Sequence, residues 1–286
     1  MTPTIEQAYQ ICEDITRGRA RNFYYGIRLL PPPKRQALCA LYALSRRIDD
    51  IGDGEAPRDE KVVALTALRD DLSDIDASID PVLVAVRDAA RRYPVPMGAF
   101  GELVDGVEMD VTGRTYDTFD DLVVYCRCVA GTVGRLCLGV FGSRPDPRAA
   151  ELADTLGIAL QQTNILRDIR EDLITGRVYL PQRELSAFGV ELALDAQGDL
   201  VDKDGGLAAV IAACAQRARV WYADGLRLVP LLDRRSAACA AAMAGIYRQL
   251  LARIAADPTA VYHQRMSLSG WQKARVATWA LIGRGR

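Results

Sequence analysis

Apolar residues recur three and four positions apart along almost the whole of this 286-residue chain. That spacing places them on one face of an α-helix, whereas the alternation typical of a β-strand is rare. The pattern therefore predicts an all-α protein. The predicted helices cover about residues 4–17, 31–52, 57–78, 81–93, 97–112, 119–141, 146–173, 207–230, 234–256 and 270–282, with a small helix ending at Gly189.

Local signals mark several of these boundaries. Thr4 followed by Gln7 resembles a capping box, and Asp146, Asp233 and Ser269 each stand where a side chain can cap a helix. These polar residues satisfy backbone N–H groups that the first turn of a helix leaves without partners. They support the predicted helix starts.

Two segments differ from this pattern. Residues 191–206 are acidic, contain glycine and lack periodicity, which predicts a surface loop or flap. The last helix is amphipathic and carries Trp271 and Trp279. Such a helix could lie on a membrane, but docking onto the protein's own core is the commoner arrangement and is the one we expect.

Composition narrows the class of protein. Half of the residues are hydrophobic, and 36 basic residues nearly balance 37 acidic ones. These values argue against disorder and against a nucleic-acid partner. The length favours one domain over residues 1–286.

The cysteines and the apolar stretches indicate the compartment. Seven cysteines occur without a C-x-x-C pair, which is typical of small buried residues in a reducing cytoplasm. The first residues lack a signal-peptide pattern, and the longest uncharged stretch, Ser236 to Tyr247, is shorter than the roughly 20 residues that span a bilayer. We expect a cytoplasmic protein that does not span a membrane.

The chain has a single histidine, His263. Zinc hydrolases, histidine-based triads and di-iron bundles need more imidazoles than this. The sequence also lacks the G-x-G-x-x-G and Walker A strings. Metal chemistry would therefore use oxygen ligands, which favours magnesium.

Two helices carry matching polar stripes. On the helix that ends R-R-I-D-D-I-G-D, positions 42, 46, 49 and 53 lie within about 60° of one another, which groups Tyr42, Arg46, Asp49 and Asp53. The segment Q-Q-T-N-I-L-R-D-I-R-E-D repeats this spacing. Its stripe comprises Gln161, Asn164, Asp168 and Asp172.

Paired aspartates near a helix C-terminus repel each other by a few tenths of a kcal/mol, and the helix dipole adds to this. If the stripes face inward, a bound cation is the simplest compensation. The alternative is two solvated helix ends, neutralised by Arg46, Arg47, Arg167 and Arg170. Two matching stripes favour a site in which metal ions bridge carboxylates to a diphosphate and arginines hold its other oxygens.

At these residues the chain resembles the squalene and phytoene synthase family. The resemblance extends over A-R-N-F-Y-Y-G-I-R-L-L-P, A-L-Y-A-L-S-R-R-I-D-D-I-G-D, Y-C-R-C-V-A-G-T-V-G and Q-Q-T-N-I-L-R-D-I-R-E-D-L-I-T-G-R-V-Y-L-P. It implies an isoprenoid-synthase-type helical bundle around a central cavity. The glycines of A-G-T-V-G also predict close approach of a neighbouring helix or of an isoprenoid tail.

Within the family the chain looks most like bacterial presqualene diphosphate synthases of hopanoid biosynthesis. That likeness implies head-to-head condensation of two farnesyl diphosphates, with Mg²⁺ assisting diphosphate ionisation and without use of NADPH. One alternative is a phytoene synthase that uses two geranylgeranyl diphosphates. Another is a non-catalytic helical assembly protein.

The resemblance also implies roles for individual residues. Magnesium is expected at Asp49, Asp53, Asn164, Asp168 and Asp172, and the four aspartates act in catalysis together with Tyr125. The residues expected to bind substrate are Arg21, Phe23, Tyr42, Arg46, Gln161, Arg167, Arg177 and Tyr179. The apolar product suggests peripheral membrane contact, and a downstream squalene-forming enzyme is a candidate partner.

Overall fold

The computed structural model describes residues 3–20 and 22–283, and over these residues the protein is all-α. The only pairing of extended backbone in this part of the chain is an isolated bridge between Leu194 and Leu200. The α-helices are α1 (Ile5–Arg19), α2 (Tyr24–Ile27), α3 (Pro32–Asp53), α4 (Arg58–Ser73), α5 (Pro81–Arg92), α6 (Gly98–Val111), α7 (Phe119–Cys126), α8 (Thr132–Phe141), α9 (Ala149–Ile174), α10 (Gln182–Ala187), α11 (Gly206–Gly225), α12 (Arg234–Ala256) and α13 (Gly270–Leu281).

These bounds confirm the predicted all-α class and most of the predicted helices. The capping boxes form at Thr4 and at Ser269, and Asp233 caps α12 as expected. Three boundaries differ: α4 ends at Ser73 rather than near residue 78, α11 ends at Gly225 rather than near residue 230, and α9 begins at Ala149 rather than at 146. At α9 the Asp146 carboxylate accepts from the Arg148 N–H at 2.8 Å, and helical bonding begins only after that turn. The short helix α2 carries no periodic signal and was not predicted.

Helices α7 and α8 form one continuous rod through a π-helical turn at Arg127–Gly131. By length and composition alone, the rod Phe119–Phe141 could span a membrane. Core helices of soluble proteins pass the same test. Arg135 of this rod forms salt bridges with Glu102 of α6 and Asp154 of α9.

Glycine allows α8 and α9 to pack with their backbones almost in contact. A Cβ atom at Gly134 would lie 2.2 Å from the carbonyl oxygen of Ala153, and one at Gly157 would lie 2.2 Å from that of Ala130. Both distances are far below van der Waals contact. The predicted close helix approach at A-G-T-V-G is therefore confirmed at Gly134.

Helix α13 docks onto α12 through small side chains. Val276, Ala277 and Ala280 are buried, while Trp271 and Trp279 remain 84% and 50% exposed. The helix docks onto the core as expected, but small side chains rather than its tryptophans are the buried ones.

Candidate active site

The aspartates of the two polar stripes face one chamber between the C-terminal halves of α3 and α9. All five residues predicted to bind magnesium line it, two from α3 and three from α9. The chamber wall also includes Gly52, Val107, Asp110, Tyr125, Val129, Gln161, Ile165, Arg177 and Tyr179. The packing of two distant helices thus brings the predicted carboxylates together.

The chamber opens into an apolar tunnel with about 1200 Å³ of empty space, including its open mouth. Asp49, Val129, Gln161 and Asn164 line both spaces. On α3 the lining continues to Leu38, eleven residues before Asp49, a distance of about 16 Å along the helix. The two predicted cavity residues not yet placed, Phe23 and Tyr42, lie in the tunnel wall.

Two of the aspartates are partly buried and have no bonded partner in the described part of the chain. Burial raises the pKa of Asp49 to about 7, and the neighbouring Asp53 adds to the shift. Burial and the charge of Asp168 raise the pKa of Asp172 to about 8. Among the described residues, neither carboxylate has a hydrogen-bond donor or an ion-pair partner within bonding distance. Both are placed to gain from a bound cation.

The other two aspartates are already paired. Burial alone would raise the pKa of Asp168, but hydrogen bonds from Arg167 and Arg265 hold it below its usual value. The Arg265 guanidinium donates to the two Asp168 oxygens at 2.7 and 3.1 Å. Arg177 donates to Asp53 at 2.9 Å. Each pair therefore holds a guanidinium group beside a candidate metal ligand.

Asp110 is a chamber residue that the sequence reasoning missed. Its carboxylate accepts from the Tyr125 hydroxyl at 2.9 Å and from the Tyr179 hydroxyl at 2.7 Å. Burial raises the pKa of Asp110. On α6, Asp110 follows Leu103 and Val107 at positions i, i+4 and i+7, which places it on the buried apolar face of the helix. A lone acid on that face was the sequence signal that could have identified Asp110 as a candidate site residue.

Arg265 was also missed. It lies in the irregular segment that precedes α13, so no periodicity marks it. Only the fold, which carries this segment back across α9, brings its guanidinium to Asp168. No pattern in the sequence could have found it.

Two predicted substrate-binding residues, Arg46 and Arg167, line neither the chamber nor the tunnel. Arg46 pairs with Asp50 and faces a separate surface groove. Arg167 is buried behind the chamber, where it donates to Asp168. Arg21 lies outside the described residues.

The oxygen ligands of the chamber suit a magnesium ion whose remaining coordination positions are filled by substrate phosphates. Asn164 Oδ1 is buried without a hydrogen-bond partner, and Asn164 lines the same chamber as Asp49 and Asp172. Within residues 3–20 and 22–283, no three His, Cys, Asp or Glu side chains are spaced to hold a metal by themselves. Magnesium commonly binds through one or two carboxylates plus substrate phosphates, so this set fits that mode.

Comparison with known proteins places this chain in a family. The profile described as Squalene/phytoene synthase matches residues 16–272. The chain belongs to the squalene/phytoene synthase family. It is thus a member of a prenyltransferase-type family of isoprenoid biosynthesis whose substrates are prenyl diphosphates.

Family members with high identity are phytoene synthases. The phytoene synthase of Mycobacterium tuberculosis is 58% identical over 277 residues, which is 97% of this chain and 91% of that protein. The 15-cis-phytoene synthase of Synechococcus elongatus is 34% identical and covers 94% of this chain and 91% of its own length.

Solved structures of the family share the fold. A dehydrosqualene synthase in complex with ligand superposes with a TM-score of 0.86 at 27% identity, covering 98% of this chain and 97% of its own. Squalene synthase HpnC from Alicyclobacillus acidocaldarius gives 0.78 at 32% identity, covering 87% and 94%. The predicted isoprenoid-synthase-type bundle is confirmed.

These findings correct the expected activity. Synthesis of presqualene diphosphate from two farnesyl diphosphates was the wrong prediction, because the relatives with 58% identity are phytoene synthases. The motifs that carried the prediction supply residues to both the chamber and the tunnel. They identify the family, and the two kinds of synthase share them.

The buried carboxylates predict how stability depends on pH. Because the pKa values of Asp49 and Asp172 are raised to about 7 and 8, the folded protein binds more protons than the unfolded chain between about pH 4 and 8. Stability without metal should therefore fall as pH rises from 5 to 8. Differential scanning fluorimetry at several pH values measures this.

Magnesium with inorganic diphosphate should oppose that fall, because a ligand that binds only the folded state stabilises it. A melting temperature that rises steadily from pH 5 to pH 8 in chelator would contradict the proposed burial of these two acids. The same titration of an Asp49→Asn/Asp172→Asn variant should be flatter over this range.

Proposed function

We propose that this protein is a phytoene synthase that condenses two molecules of geranylgeranyl diphosphate head to head. One structural observation carries the proposal: an acidic chamber suited to a metal-bound diphosphate opens directly into a long apolar tunnel. The names of relatives that are 58% identical over nearly the whole chain support the C20 substrate.

The diphosphate group is proposed to bind in the chamber. Asp49, Asn164 and Asp172 would hold Mg²⁺, with Asp53 and Asp168 joining once their arginines turn to the diphosphate. Bound magnesium would supply the Lewis-acid charge neutralisation that makes diphosphate a better leaving group. Arg177 and Arg265 would contribute charge-assisted hydrogen bonds to its remaining oxygens.

The tunnel is proposed to hold the hydrocarbon chains and to keep water away from the allylic cation. When the donor C1–O bond breaks, the electron pair leaves with the diphosphate, and the acceptor double bond then attacks C1. Apart from the residues that it shares with the chamber, the tunnel lining is almost entirely aliphatic or aromatic. Excluding water from this space prevents quenching of the cation.

Asp110 and Tyr125 are proposed to receive the proton that is lost when the new carbon–carbon bonds form. Burial raises the pKa of Tyr125, so its hydroxyl stays protonated and donates to Asp110. The hydroxyl oxygen of Tyr125 keeps a lone pair that can accept the proton lost by the substrate. The hydroxyl's own proton then passes to the Asp110 carboxylate. Ionisation of the second diphosphate followed by another proton loss gives phytoene without a reductant.

Product analysis with the two substrates tests this function. With purified protein and Mg²⁺, geranylgeranyl diphosphate should give a C40 hydrocarbon, detected by liquid chromatography and mass spectrometry. The kcat/KM for farnesyl diphosphate should be at least about tenfold lower, since the shorter chain leaves tunnel surface unfilled. Higher kcat/KM with farnesyl diphosphate, or no hydrocarbon product, would refute the proposal.

A tunnel variant sharpens this test. Ala153 lines the tunnel eleven residues before Asn164 on α9, at the end remote from the chamber. Ala153→Leu should therefore lower kcat/KM for geranylgeranyl diphosphate more than for farnesyl diphosphate. An equal loss with both substrates would show that this end of the tunnel does not contact the chain terminus.

A further inference from the structure

Charge is divided very unevenly along the chain, although the total is near zero. Residues 234–286 contain nine Lys and Arg side chains and a single acid, Asp257. Residues 1–233 contain 27 basic and 36 acidic residues. Helices α12 and α13 both lie in this basic stretch, and neither helix contains an acidic residue.

The outward face of α13 is apolar and basic. At 100° per residue, positions 271, 275, 279 and 282 lie within about 80° of one another, opposite the buried Val276 and Ala280. This face presents two of the three tryptophans in the chain together with Ile282, which is 57% exposed. The Arg275 guanidinium lies 5.6 Å from the centre of the Trp279 ring.

A groove beside this face is also apolar and basic. Trp279 forms one wall, and the other walls come from α11 and α12. The floor is apolar, including Leu226 and Leu251, and the charged residues in its lining are Arg219 and Arg248. No acid lines this groove among the residues described.

We propose that α13 and the adjoining α11–α12 groove bind the surface of an anionic lipid bilayer. Exposed tryptophans favour the boundary between headgroups and acyl chains, because their rings are apolar and carry one N–H donor. Basic side chains around them are attracted to the negative surface potential of anionic lipids. An amphipathic helix with tryptophan and arginine on its outward face meets both requirements.

The position of this surface relates it to the chamber. Arg265, which bonds to Asp168 in the chamber wall, precedes the first residue of α13 by five positions. A bilayer held at α13 would therefore lie a few residues along the chain from the arginine that is bonded to Asp168. Lipid binding itself does not depend on the proposed reaction and can be measured without substrate.

Vesicle sedimentation of the full chain tests the proposal. The probes are phosphatidylcholine vesicles with and without about one third phosphatidylglycerol. We expect binding to the anionic vesicles, a blue shift of tryptophan fluorescence, and release at high salt. Trp271→Ser/Trp279→Ser should weaken binding at least about tenfold, and each of Arg219→Gln, Arg248→Gln and Arg275→Gln should weaken it about fivefold.

Val63→Ser is the matched control, because Val63 is 68% exposed on α4, which packs against α3 and α6. It should bind vesicles like the unaltered protein, and circular dichroism should show that all variants fold. Equal binding by the double tryptophan variant, or equal binding to neutral and anionic vesicles, would overturn the proposal. So would absence of vesicle binding with tryptophan-dependent dimerisation in sedimentation equilibrium, which would assign the face to a second copy.

Discussion

Replacing Asp49 or Asp172 by asparagine should lower kcat by about 10³-fold or more while raising the melting temperature of the metal-free protein. Both carboxylates are partly buried in the chamber wall, with pKa values raised to about 7 and 8. An amide removes the cost of the buried charge, and each kcal/mol recovered adds about 2–4 °C. It also removes the anionic oxygen proposed to hold magnesium.

Two measurements make this expectation specific. The variants should lose the rise in melting temperature that Mg²⁺ with inorganic diphosphate gives the unaltered protein. Asp50→Asn is the control, because Asp50 follows Asp49 on the same helix but is exposed and pairs with Arg46. It should retain most activity. Full activity in Asp49→Asn or Asp172→Asn would remove these residues from the proposed site.

Gly157→Ala and Gly134→Ala should each lower the melting temperature by about 5 °C or more. The added Cβ atom would lie 2.2 Å from a carbonyl oxygen of the facing helix, and neither backbone can yield without separating α8 from α9. Both glycines also line the tunnel, so activity should fall with stability. Thermal denaturation followed by circular dichroism measures the loss.

Gly101→Ala provides the comparison. It lies inside α6, and its Cβ atom would meet only an arginine nitrogen at 3.8 Å. Alanine has the higher helix propensity, so this variant should be as stable as the unaltered protein or more so. A stability loss at Gly101 equal to that at Gly157 would show that close backbone packing is not the reason for these glycines.

Local chemistry made the helices predictable. Apolar periodicity and capping residues act within a few positions, so the bounds of α3, α9, α12 and α13 followed from the sequence to within a few residues. The failures occurred where local signals are absent or compete. Helix α2 is only four residues long, and a π-helical turn interrupts the rod that the sequence presents as one helix.

The candidate site was predictable in part for the same reason. A carboxylate pair at i and i+4 on an apolar helix is visible in the sequence, and both pairs do line one chamber. Asp110 gave a weaker signal because it stands alone on α6. Arg265 gave none, since an irregular segment brings it to Asp168 from almost a hundred positions away.

By itself the sequence determined the all-α class, the family and the acidic residues, because helix periodicity and contiguous motifs are short-range properties of a chain. Only the tertiary structure decided which arginines face the chamber, which acids stay unpaired, and that the tryptophans of α13 point outward. It also showed that the chamber opens into an apolar tunnel. These features depend on how distant helices pack, and packing is set by many weak contacts that no single motif records.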